Sequence, residues 1–156
     1  MSPIILRRAV ADDAPAIAAV FDAAVRLGWT YLGNLVNDPM FTARDWDQLV
    51  AVDEADEVVG YTAVHPQDCE MFLLFVHPAH AGQGIGRTLL EAGHDALRAG
   101  GCREAFLFVH ERNTRARAVY TAAGYRADGS ERVSDFRGIS VRELRMVKTL
   151  EGAELE

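Results

Sequence analysis

The stretch Glu70-Met71-Phe72-Leu73-Leu74-Phe75-Val76-His77-Pro78-Ala79-His80-Ala81-Gly82-Gln83-Gly84-Ile85-Gly86-Arg87-Thr88 decides the fold. From Met71 to Val76 the run is apolar without alternation, the pattern of a central strand covered on both faces. Gly82, Gly84 and Gly86 then lead into Arg87–Ala99, where Leu89, Leu90 and Leu97 recur at helical spacing. Gly100-Gly101 ends that helix, and Glu104–Val109 is another apolar strand. A strand, a helix and a strand in this order make a parallel pair with a right-handed crossover.

On the N-terminal side, Ile4–Ala9 is a short strand candidate. Asp12-Asp13 and Pro15 start a helix, with carboxylates and a proline where no amide donor is needed. Ile17, Val20, Phe21, Ala24 and Val25 give that helix one buried face, and Gly28 stops it. Gly28–Met40 mixes turn residues with Trp29, Tyr31, Leu32 and Leu35, as a segment folded over something would. Trp46–Val52 and Glu57–His65 read as strands around a turn at Asp53–Asp56. Beyond the crossover, Thr114–Ala123 is a small helix closed by Gly124, and Tyr125–Ser134 with Ile139–Lys148 is a hairpin. The expected class is α/β, or α+β with a mixed sheet, in a single domain over residues 1–156 with a core of about 4–149 and a tail at 150–156.

The bulk properties exclude several classes. A length of 156 residues suits one domain, and 49% hydrophobic with 25% charged residues suits a globular one. Met71–Val76, an apolar run of six, is far short of the ~20 residues a membrane span needs. The N-terminus reads as no signal peptide, which predicts a cytoplasmic protein. A net charge of −7 argues against nucleic acid and favours cationic partners such as amines. Cys69 and Cys102 show no metal-ligand spacing and are expected to be two reduced, packed thiols. His65, His77 and His80 form no ligand pattern either, so no metal is expected.

Ala81–Thr88 carries the chemistry. Alternate glycines let a ligand approach the backbone, and a helix start offers unpaired N–H groups and a positive dipole end, together an anion site. A P-loop is excluded by Ala81 and Arg87, and G-x-G-x-G is not the dinucleotide spacing. An acyl-CoA turn and a tight packing turn both remain open from this stretch alone.

Leu107, Val109, Asn113, Ala116, Tyr120, Gly124 and Tyr125 form a second motif. With Val76, Pro78, Gly84 and Gly86, it closely resembles the GNAT N-acetyltransferase superfamily, in detail over about residues 57–126. One departure is Ala81, where the family usually keeps Gln or Arg, so phosphate contact would rest on backbone amides. The resemblance implies a GNAT-like mixed sheet, flanked by helices, whose fourth and fifth strands are parallel and splay to admit acetyl-CoA as co-substrate. It implies an N-acetyltransferase that moves the acetyl group directly to a primary amine of a small molecule or peptide. A catalytically silent acyl-CoA sensor and a transferase for a longer acyl chain are the alternatives.

The same resemblance places Leu74, Phe75 and Val76 along the pantetheine, with the Leu74 amide as oxyanion donor. Ala81, Gly82, Gly84, Ile85, Gly86, Arg87 and Thr88 would surround the pyrophosphate, and Asn113 would contact the cofactor. Tyr120 matches the general acid that protonates the leaving thiolate. Glu70 matches the base of one branch of the family, with His110 and His77 as rivals. The acceptor would enter near Trp29, Tyr31, Glu70, His110 and Phe136, with Arg132 and Arg137 able to take a carboxylate. The resemblance is compatible with a homodimer.

Overall fold

A computed structural model describes residues 3–28, 46–136 and 138–150. In chain order its elements are β1 (Ile5–Arg8), α1 (Ala14–Gly28), β2 (Asp47–Val52), β3 (Val58–His65), β4 (Glu70–Val76), α2 (Ile85–Ala99), β5 (Glu104–His110), α3 (Thr114–Ala122), β6 (Arg126–Phe136) and β7 (Ile139–Thr149). The strands form one sheet in the order β1-β2-β3-β4-β5-β7-β6. Every neighbouring pair is antiparallel except β4 and β5, which the α2 crossover makes parallel.

The helices cover opposite faces. Ile17 and Phe21 of α1 pack on Val50, Val52, Tyr61 and Ala63. On the other face, Leu90 and Leu97 of α2 join Val64, Met71, Leu107 and Val109, with Ala116 and Tyr120 of α3 at the margin. Gly93 lets α2 lie close to the sheet: a Cβ there would meet Met71 Cε at 2.6 Å. The helix start expected at Asp12-Asp13 is a 3₁₀ turn, Ala11–Asp13, that runs into α1. Asp13 accepts the Val10 N–H at 2.8 Å and two bonds from the Arg7 guanidinium, which holds its carboxyl below the usual range.

Two features shape the centre of the sheet. Between β3 and β4, Ala63 faces Leu73 and Val64 faces Met71, so Phe72 is the extra residue of a β-bulge. Between β4 and β5, Glu70 and Phe106 are in register and nothing beyond them is. The strands therefore diverge, and Phe72–Val76 of the central strand are only half-buried rather than covered on both faces.

The expectation of two reduced thiols is corrected. Cys69 and Cys102 form a disulfide, with Cα atoms 5.7 Å apart. The crossover returns β5 beside β4, which brings the turn before β4 against the turn after α2; no local spacing in the sequence encodes that meeting. The bond lies at the closed end of the diverging strands, where the Phe106 amide also donates to the Cys69 carbonyl at 3.1 Å. Among the described residues, no helix is long and apolar enough to cross a membrane.

Candidate functional site

The opening between β4 and β5 is roofed by the turn that starts α2. Gly82 and Gly84 have φ of +79° and +81°, a left-handed conformation that favours glycine, and a Cβ on either would project into open space. Gly84 is the N-cap of α2 and offers no side chain to cap the helix amides. The first-turn N–H groups therefore point outward at an exposed surface, as an anion site requires. Thr88 does not add a free hydroxyl: its Oγ1 donates to the Gly84 carbonyl at 2.9 Å. Ile85 is buried against Val59 and Leu89, and Arg87 is exposed.

Behind the opening, Tyr120 of α3 lies edge-on to Tyr125 with ring centroids 5.8 Å apart. Burial pushes the Tyr120 phenol up to about 12, so it stays protonated at neutral pH. Tyr125 is anchored by a 2.7 Å hydrogen bond with His94 of α2. Burial, then Lys148 and Arg98, lower His94 to about 4, so it is neutral. This pair ties α2 to the turn that follows α3 and gives Tyr120 a fixed neighbour. Asn113 caps α3, accepting the Ala116 N–H on Oδ1 at 3.1 Å.

The sheet face away from α2 is different in kind. Along β5, Phe106, Phe108 and His110 alternate with Ala105, Leu107 and Val109, which face the helices. Glu70 begins β4 on the same side, 3.8 Å from His65. Burial raises its carboxyl, against a lowering influence of Arg132, with Asp68 and Glu143 adding to the rise. Next to β5, Glu143 of β7 accepts the Arg132 Nε–H at 2.6 Å and the Ser134 hydroxyl at 2.7 Å, and faces His110 Nε2 at 3.5 Å. Burial opposes ionisation of Glu143, but bonds from His110, Ser134 and Arg132 hold it at about 2. Arg132 lies 3.7 Å over the Phe108 ring, and Arg145 4.6 Å over Phe106.

The sheet thus sets Leu74, Phe75 and Val76 at the opening, the Gly82–Arg87 turn above it, and Glu70 and His110 on one face. His77 stands apart, its Nδ1 accepting the Ala79 N–H at 3.0 Å to cap the turn that precedes Ala81. Trp29, Tyr31 and Arg137 lie outside the described residues, as does the side chain of Phe136. Sequence reading missed Glu143, because a lone glutamate in a C-terminal strand has no local mark. A hint lay in strand alternation, which puts Val141, Glu143 and Arg145 on one face of β7. Among the described residues, no three His, Cys, Asp or Glu side chains are placed to hold a metal ion.

A mixed sheet whose parallel pair opens under a glycine turn is the build of an N-acetyltransferase fold. Residues 21–125 match the model of the acetyltransferase (GNAT) family, and the chain belongs to that family. It is 41% identical over 75 residues to a mycothiol acetyltransferase of Saccharopolyspora erythraea, covering 46% of this chain and 25% of that protein. The chain spans only about a quarter of that relative's length. It is 31% identical over 138 residues to the peptidyl-lysine N-acetyltransferase YjaB of Salmonella typhimurium, covering 83% of this chain and 88% of that one. The structure of yncA from Salmonella typhimurium with acetyl-CoA superposes with a TM-score of 0.74 at 21% identity, covering 99% and 98% of the two chains.

Proposed function

We propose that this chain, as one catalytic domain over residues 4–149, transfers the acetyl group of acetyl-CoA to a primary amine of a small molecule or peptide. The observation that carries this reading is the divergence of β4 from β5 beyond Glu70 and Phe106, directly beneath the Gly82–Arg87 turn. It leaves one edge of β4 without a β5 partner, so the backbone of Leu74, Phe75 and Val76 can pair with an extended pantetheine arm.

Bound acetyl-CoA supplies the thioester. Amides of Gly82, Gly84, Ile85, Gly86 and Arg87 hold the pyrophosphate, with Asn113 near the cofactor through its amide nitrogen. The Leu74 N–H faces the thioester oxygen and stabilises the charge that develops there. Glu70 accepts a proton from the incoming ammonium, for which a raised carboxyl is better matched than an ordinary one. The freed nitrogen forms the C–N bond, the C–S bond breaks, Tyr120 gives its proton to the departing sulfur, and the second proton shed by the nitrogen restores the Tyr120 phenol. A phenol near 12 is a weaker acid than a free thiol at ~8.5. The sulfur leaves into the same low-dielectric cleft, which raises the thiol as well and narrows the gap.

The test is thiol release from acetyl-CoA across a mixed amine library. Tyr120→Phe should lower kcat about 100-fold, as loss of a general acid does, and leave acetyl-CoA affinity within twofold. An unchanged kcat would remove the acid role. Because Glu70 is raised, the acidic limb of kcat/KM should lie above the ordinary carboxylate range, activity falling as pH drops through it. That limb should vanish in Glu70→Gln; a limb that stays in place assigns the base elsewhere, with His110 the nearest rival on that face.

A further inference from the structure

Arg132 is held in a way that its ion pair with Glu143 does not explain. One face of its guanidinium rests on Phe108, and its Nε–H is tied to Glu143. Those two contacts fix the plane of the group and occupy its Nε–H, which leaves the end-on edge between the two Nη groups as a separate donor edge. Among the described residues nothing accepts a hydrogen bond from them, and the side chain is 45% exposed. Glu143 itself is filled by Arg132, Ser134 and His110, so it does not compete for a further cation. A planar guanidinium with a stacked face, an occupied Nε edge and an open Nη fork is preorganised for bidentate binding of a carboxylate.

Glu70 occupies the same face: it is in register with Phe106 of β5, two residues before the Phe108 ring that Arg132 covers. An acceptor bound here meets a carboxyl group at one end and an open guanidinium fork at the other. A phosphate dianion suits the fork less well, because Glu70, Asp68 and Glu143 all carry or share negative charge nearby.

We infer that Arg132 binds a carboxylate of the acceptor, and that the acceptor is a free amino acid whose amine is presented to Glu70. The inference rests on the acetyl-transfer reading above. Phe108 and Glu143 act as positioning residues for the fork, and Arg132 sets specificity.

The experiment measures thiol release at saturating acetyl-CoA for the proteinogenic L-amino acids and their matching amino-acid amides. At least one amino acid should be acetylated with kcat/KM at least tenfold above its amide, the difference lying in KM. Arg132→Met should collapse that ratio towards one, and Arg132→Lys, which keeps the charge but loses the fork, should leave it intermediate. Acetyl-CoA affinity and melting temperature, measured on each variant, separate this loss from misfolding. Amides used as well as acids, a ratio that survives Arg132→Met, or acetylation confined to peptide lysines or diamines would overturn the inference and leave acetyl transfer standing. No thiol release with any amine, although acetyl-CoA binds, would overturn both.

Discussion

The two sides of the cleft are built from different materials. On the proposed donor side the groups on offer are backbone amides: Gly82 and Gly84 take left-handed conformations with open space where a Cβ would stand, and Thr88 turns its hydroxyl back onto Gly84. On the proposed acceptor side the groups are side chains from separate strands: Glu70, Phe106, Phe108, His110, Arg132 and Glu143. A backbone site recognises what every donor shares, a pyrophosphate, and needs only small residues at set spacing. A side-chain site recognises one acceptor, and its residues come from wherever the sheet brings them together. Substitution should therefore strike the two sides through different properties.

The largest expected effect is electrostatic and lies on the acceptor side. Glu143→Gln keeps the shape of the side chain and an acceptor oxygen but removes the charge that His110, Ser134 and Arg132 surround. Since the folded carboxyl sits at about 2 and an unfolded one near 4.5, the charge contributes stability above pH ~4.5. That contribution is lost as pH falls towards about 2. A shift of this size corresponds to about 3 kcal/mol. Urea unfolding of the two proteins should show that difference at pH 7 and a shrinking one between pH 4.5 and 2. A difference that does not change with pH would mean packing rather than charge holds this corner together.

The same contrast explains what could be read from the sequence. The glycine turn and the family were legible because they are marked by two short motifs: Val76, Pro78, Gly84 and Gly86, then Asn113, Tyr120 and Gly124 a crossover later. The element order was legible too, since apolar runs and glycine stops mark it. Glu143 was not, because its role arises only when β7 inserts between β5 and β6 and sets it opposite His110 on one side and Arg132 on the other. The Cys69–Cys102 bond was hidden for a related reason: the two stand 33 positions apart, and the crossover alone closes the distance. The half-buried state of β4 was likewise invisible in its apolar composition, which suits a strand covered by protein and one lining a cleft equally well.

The smaller effect belongs to the donor side and sharpens the comparison. At Gly84, φ is +81° and no atom lies within 4 Å of a would-be Cβ, so a new side chain meets no steric block inside the protein. The cost of Gly84→Val is therefore conformational, about 1–2 kcal/mol for an L-residue held in the left-handed region, and larger for a β-branched one if the turn keeps its shape. Relaxing the turn avoids that cost but rotates the amides that start α2 away from a bound phosphate. Calorimetry should show acetyl-CoA binding weakened about tenfold, equivalent to 1.4 kcal/mol, while KM for the acceptor stays the same. Thr88→Ala on the same turn should change donor affinity less than threefold, because that hydroxyl already bonds to Gly84. If Thr88→Ala were the more damaging of the two, side chains and not backbone amides would be holding the donor, and the division between the two halves of the cleft would fail.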